Sequence, residues 1–117
     1  MTILSKITIA IATKGSKGLK DEVSEVFGRA PTFTLVTVED GVIKNTKVIE
    51  NPAAPYEFGV GPIVVKMLSD KRVKVVAGAE FGVGISTLLK DKDIRIVKVK
   101  PEMNVCDVVD TIIKQVK

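Results

Sequence analysis

The chain contains no histidine. Every site that depends on imidazole is therefore excluded, including serine–histidine and cysteine–histidine nucleophile pairs, the HExxH zinc helix and the facial triad of iron oxygenases. It has one cysteine, Cys106, which rules out a CxxC pair and any cluster held by four thiolates of a single chain. Tryptophan is missing and aromatic residues make up only 4% of the chain, so the core has to be aliphatic, led by valine and isoleucine. Long apolar runs are missing too. The longest near the start, Ile7 to Ala12, is interrupted by Thr8 and is far too short for a spanning helix or the apolar part of a signal sequence. With one unpaired cysteine, these absences lead to the expectation of a cytoplasmic protein with no membrane partner.

What remains is ample for a folded domain. Of 117 residues, 45% are hydrophobic and 27% charged, a balance that separates the chain from disordered tails. At this length folding removes roughly two thirds of the unfolded chain's surface from water, so no disulfide or structural metal is required. No repeat or linker divides the sequence, and a single domain over 1–117 is expected. Eighteen Lys and Arg against fourteen Asp and Glu give a net charge of +4. These charges are dispersed along the sequence, which favours a solvated surface over a nucleic-acid stripe, and anionic ligands over cationic ones.

Ile7, Ile9 and Ile11 alternate with Thr8, Ala10 and Ala12, the pattern of a central strand covered on both faces. After a flexible loop, Lys14 to Gly18, the stretch Asp21 to Phe27 predicts a short helix that Gly28 stops, with its acids as a solvated face. Thr32 to Val38 and Val42 to Glu50 predict two strands joined at Asp40-Gly41, a hairpin signal. Pro62 is expected to open the next helix, with Ile63, Val64, Met67 and Leu68 on its apolar face. Val73 to Ala79 predicts a buried strand, Val83 to about Asp91 a helix, and Ile94 to Val99 a strand. The last helix is capped by Asn104, and Val105, Val108, Val109, Ile112, Ile113 and Val116 follow helical spacing. The fold class that results is α/β: three layers, α/β/α, around a five-stranded mixed sheet of order 3-2-1-4-5 with strand 2 antiparallel.

Ligands of open α/β sheets bind outside the carboxyl ends of parallel strands, where the strand order reverses. Here that point lies between the first and fourth strands, and four glycine-bearing segments converge on it. Lys14, Gly15 and Ser16 follow strand 1, Arg29 precedes strand 2, Gly59 and Gly61 lead into one helix, and Gly82 and Gly84 lead into the next. Helix N-termini offer free amides and partial positive charge, so these eight residues are the candidate anion pocket. Neither a GxGxxG nor a GxxxxGK[ST] signature is present, so dinucleotides and nucleoside triphosphates have no specific support. The central strand carries no acid for two-metal nuclease chemistry. No nucleophile–base pair supports an enzyme. Cys106 is expected to be a small packed hydrophobe rather than a ligand. Arg29 is either an anion contact or a brace paired with Asp21, Glu25 or Glu57, and Tyr56 and Phe58 either close over a ligand or cover the sheet edge.

The stretches from Ile9 to Ala53 and from Gly59 to Asp91, with Val26-Phe27-Gly28-Arg29-Ala30, Glu50-Asn51-Pro52 and Phe81-Gly82-Val83-Gly84, resemble the dinitrogenase iron–molybdenum cofactor binding and biosynthesis family from about residue 5 to 115. The resemblance implies a fold similar to the ribonuclease-H-like motif. It also implies a small binding or carrier protein, nitrogenase accessory factor-like, for an iron–sulfur or molybdenum-containing metal–sulfur cluster, with cofactor-assembly proteins as partners. Without histidine, and with its cysteine outside the pocket, such an anionic cluster would be held non-covalently by backbone amides and by Arg29 or lysine side chains. The alternative is a regulatory or interaction module whose crevice takes an anion, a nucleotide-like ligand or a protein loop.

Overall fold

Isoleucine on one face of the first segment and alanine on the other make it the centre of the sheet. In the computed structural model, which describes residues 6–116, β1 (Lys6–Thr13) is buried from Ile9 onward. It is followed by a short 3-10 turn at Gly18–Lys20, then β2 (Thr32–Glu39), β3 (Val42–Glu50), α1 (Val60–Asp70), β4 (Val75–Gly78), α2 (Val83–Asp91), β5 (Arg95–Lys98) and α3 (Val105–Val116). The sheet order is β3-β2-β1-β4-β5. β2 runs antiparallel to β1 and β3, while β1, β4 and β5 are parallel. The hairpin between β2 and β3 turns at Asp40 and Gly41, both at positive φ (54° and 81°), which is the type I′ geometry that matches strand twist.

The pleat divides the core in two. Ala10, Ala12, Phe33 and Leu35 face α1 and α2, where Val64, Val65, Leu68, Ile85 and Leu89 cover them. Ile9, Ile11, Val36 and Val38 point the other way, onto Val105, Val108, Val109 and Ile112 of α3. Leu68, Leu89 and Ile112 are completely enclosed; truncating any of them to alanine costs about 2–5 kcal/mol through lost transfer energy and the cavity left behind. The expected place of Val116 on this stripe lies outside the described residues, since its side chain is not among them.

Several expectations are corrected. Asp21 to Phe27 is extended rather than helical. Val23 donates to the Met103 carbonyl, Ser24 to Ala12 and Phe27 to Glu80, so tertiary partners take the amides a helix would need. Seven residues with two β-branched members form too costly a nucleus to compete. Its acids are not all solvated, because Asp21 is 4% exposed. The helix before β4 begins at Val60, with Gly59 as its cap. Pro62 is thus its third residue, still in the first turn where no amide partner is lost. Val65 joins its buried face, while Ile63 and Met67 are only partly covered. β4 and β5 are shorter than expected at both ends. Cys106 is exposed rather than packed.

Candidate functional site

The carboxyl ends of β1 and β4 and the start of β2 lie at one edge, as the topology requires. The loop after β1 is organised from within. The Asp21 carboxylate accepts hydrogen bonds from the amides of Gly15 (3.1 Å), Lys17 (3.0 Å) and Glu22 (2.8 Å). A concavity of amides that would otherwise attract an anion is thereby filled by the chain's own carboxylate. Lys14 lies between Glu102 (3.2 Å) and Glu22 (3.4 Å). The hydrogen bond to Glu102, helped by that to Glu22 and by the charges of both, outweighs the opposing desolvation and raises its pKa above the usual lysine value. Ser16 is exposed and makes no described hydrogen bond. Buried Thr13, Thr32 and Thr34 join their hydroxyls across β1 and β2 beneath the loop, at 2.7 and 3.0 Å, leaving no unpaired buried polar side-chain atom among the described residues.

Arg29 reaches neither Asp21 nor Glu25, and it does not pair with the Glu57 carboxylate. Its two terminal nitrogens each donate at 2.7 Å to the main-chain carbonyls of Tyr56 and Glu57. Asn51 pins the same loop from below, donating to the carbonyls of Gly28 (3.0 Å) and Ala30 (2.8 Å) and accepting from the amide of Ala53 (2.8 Å). The proline-rich segment is thus tied to the Gly28–Ala30 turn at both ends. Phe58 beyond it is 84% exposed.

The four helix-entry glycines do come together. Gly59, Gly61, Gly82 and Gly84, with Gly28, Val26, Val60 and Ile85, line a groove of about 310 Å³ between the N-termini of α1 and α2. Neither helix has a side-chain cap or an acid in its first turn. No described hydrogen bond takes the amides of Val60, Gly61, Val83, Gly84 or Ile85. Two helix dipoles therefore present their positive ends to one apolar-walled groove. Lys14, Gly15, Ser16 and Arg29 do not line it; Arg29 follows the lining residue Gly28 in sequence and holds the loop that leads to Gly59.

The glycines differ in why they are glycine. Gly61 faces α2, and a Cβ there would make ordinary contacts with Leu88 and Ile85 at 3.5 to 3.8 Å, so packing alone does not require glycine at that position. Gly59 has φ +72°, a left-handed conformation that L side chains avoid. At Gly82 and Gly84 an added Cβ would meet nothing within 4 Å and φ is ordinary, so the fold itself makes no demand for glycine there. The sequence reading missed Val83, which is 87% exposed between them. Its β-branched side chain between two glycines was the available signal.

Comparisons with known proteins agree with this architecture. Residues 5–115 match the family model described as dinitrogenase iron-molybdenum cofactor. An uncharacterized protein of Methanocaldococcus jannaschii is 30% identical over 78 residues, a stretch that spans 67% of this chain and 66% of that protein's length. The apo form of the orange protein of Desulfovibrio gigas superposes with a TM-score of 0.82 over 92% of this chain and 88% of that one, at 21% identity, a likeness of fold. A Thermotoga protein provisionally assigned as NifB does so with a TM-score of 0.75 at 29% identity, over 92% and 88% of the two chains. Among the described residues no helix is long and apolar enough to cross a membrane, and no group of His, Cys, Asp or Glu is arranged to hold a metal ion.

Proposed function

The chain belongs to the dinitrogenase iron-molybdenum cofactor family, and from that premise we propose that it is a small binding or carrier protein for an anionic metal–sulfur cluster, iron–sulfur or molybdenum-containing. It receives this cargo from, and passes it to, cofactor-assembly proteins without catalysis of its own. The observation that carries the reading is Gly84, bare backbone facing open space inside α2 where the fold has no need of it, with Gly82, the cap of that helix, equally bare beside it. Glycine in a helix costs up to about 1 kcal/mol relative to alanine, and close approach of a ligand to the main chain accounts for that cost.

The donor set also matches such a cargo. The groove offers unpartnered amides from two helix N-termini and no thiol or imidazole. Cys106 sits on α3, across the sheet from α1 and α2. A sulfide-coated anion needs no protein ligand of its own; its periphery accepts weak hydrogen bonds from amides and packs against apolar walls. Arg29 holds the loop that leads to Gly59 in place.

Tetrathiomolybdate, followed by its absorbance under anaerobic conditions, is the simplest probe. Gly84→Ala is expected to keep or raise the melting temperature, yet to weaken binding by about tenfold, equivalent to about 1.4 kcal/mol. Unchanged affinity in that variant removes the groove from the reading. A second reading, an interaction module, is favoured by the exposed apolar side chains of Phe58, Val83 and Tyr56 beside the groove. It takes over when the purified protein carries no metal and tetrathiomolybdate does not bind.

A further inference from the structure

Charges that are scattered along the sequence are gathered by the fold at the edge of the sheet opposite the glycine groove. Lys6 at the start of β1, Lys44 in β3, and Lys71, Arg72 and Lys74 between α1 and β4 surround a cleft of about 600 Å³. Among the described residues, Glu39 is its one acidic lining residue. The floor is polar. Thr8 stands opposite Thr37 in the β1–β2 register, and Thr37 opposite Asn45 in β2–β3. The bulge that follows Thr37 adds Lys44 as the extra residue on β3. Among the described residues, Lys44, Lys71, Arg72 and Lys74 form no ion pair.

We propose that this cleft is a second anion site, selective for a ligand that carries a chain of phosphate groups. Basic residues just beyond a helix C-terminus complement its dipole, which accounts for Lys71 and Arg72 but not for Lys6, Lys44 and Lys74. Converging cations repel one another and destabilise the folded chain, and a bound polyanion reverses that effect. Arg72 supplies an independent observation. It occupies the left-handed position that ends α1, at φ 61°, where its amide bonds to Ser69 and that of Val73 to Leu68. This is the helix-ending motif that favours glycine. Asp93 ends α2 in the same way, at φ 58°; what sets Arg72 apart is that the strained position brings a cation to the lining of the cleft.

The chemistry of the lining narrows the ligand. Lysine is a compact point charge suited to phosphate, and arginine binds it in a fork. Threonine hydroxyls and the Asn45 amide add neutral donors. Among the described residues no aromatic side chain lines the cleft, so none of them stacks on a base as single-stranded nucleic acid requires. Its volume suits a small molecule and does not extend into a duplex-binding stripe.

The test uses the full-length protein and sodium tripolyphosphate at low ionic strength, with melting temperature and calorimetry as readouts. Saturable binding that raises the melting temperature is expected. Arg72→Gly relieves the left-handed strain, so it should melt at the same or a higher temperature while binding tripolyphosphate at least about fivefold more weakly. Gly84→Ala, which alters the other groove, should leave tripolyphosphate affinity unchanged, so the two sites stand or fall separately. The proposal is overturned if tripolyphosphate shows no saturable binding, if Arg72→Gly binds it equally well, or if Gly84→Ala weakens it. Tighter binding of a hexaglutamate peptide, or of a single-stranded oligonucleotide, overturns it in favour of a protein or nucleic-acid partner.

Discussion

The carboxylate of Asp21 holds the loop after β1 closed by accepting a hydrogen bond from the amide of Gly15 at 3.1 Å. Lys17 and Glu22 donate to the same group, and the side chain is almost wholly buried. Asp21→Ala leaves three amides without this acceptor. The expected cost is about 1–3 kcal/mol, the penalty for orphaned buried donors, read as a lower melting temperature. Asp21→Asn keeps a single acceptor oxygen and should fall between alanine and the unmodified protein. An alanine variant that melts with the unmodified protein would show that the contacts contribute nothing net.

Gly78 ends β4 beneath two stacked rings, Phe27 and Phe81, whose centroids are 4.7 Å apart. A Cβ at Gly78 would lie 3.0 Å from Phe27 and 3.3 Å from Phe81, tight enough that a ring has to give by a few tenths of an ångström. Phe27 is completely buried and gives only at a cost. Gly78→Ala should therefore lose about 1–3 kcal/mol by overpacking, measurable by chemical denaturation. Phe81 adjoins Gly82, so the same variant is expected to disturb the entry to α2. A variant as stable as the unmodified protein would mean that the rings slide freely.

Much of this architecture is legible in the sequence because it depends on local patterns. Two-faced apolar alternation marks β1, Asp40-Gly41 marks the hairpin turn, and strict 3.6-residue spacing marks α3. From their order the switch point follows, and with it the edge where the glycines meet. The failures have a different character. Asp21 to Phe27 has helical composition, yet its amides bond to Ala12, Glu80 and Met103, partners up to 80 residues away that no local pattern announces. Lys14 looks like a free cation until Glu102 arrives beside it. Gly15 looks like an open anion donor until Asp21 fills the loop. The basic cleft is invisible for the same reason, since its cations come from β1, β3 and the α1–β4 connection and are brought together only by the sheet.

The Lys14 cluster has a definite pH signature. Its pairing with Glu102 and Glu22 raises its pKa above the ordinary lysine value. A base held higher in the folded state than in the unfolded one contributes stability that is complete below the unfolded value and is lost as pH rises through the folded value. The difference in melting temperature between the unmodified protein and Lys14→Met should therefore be constant below the ordinary lysine range and close as pH rises through the raised folded value. Added salt should shrink it throughout, because the lysine is exposed. A difference that grows at alkaline pH would contradict the pairing.

Arg29 is where stability and binding have to be told apart, and a charge-preserving variant does so. Its two terminal nitrogens each hold a different carbonyl, those of Tyr56 and Glu57, a task for a rigid fork that a lysine ammonium performs poorly. If the residue works by positioning the rim loop, Arg29→Lys and Arg29→Ala should behave alike. Both should speed amide hydrogen exchange between Tyr56 and Gly59, change global stability by only about 1 kcal/mol, and weaken tetrathiomolybdate binding to a similar degree. If the residue works through its charge, Arg29→Lys should retain affinity while Arg29→Ala loses it. Because both guanidinium ends are already engaged by the main chain, the first outcome is the expected one. Retained affinity in Arg29→Lys with a loosened loop would instead make Arg29 a direct electrostatic contact to the cargo.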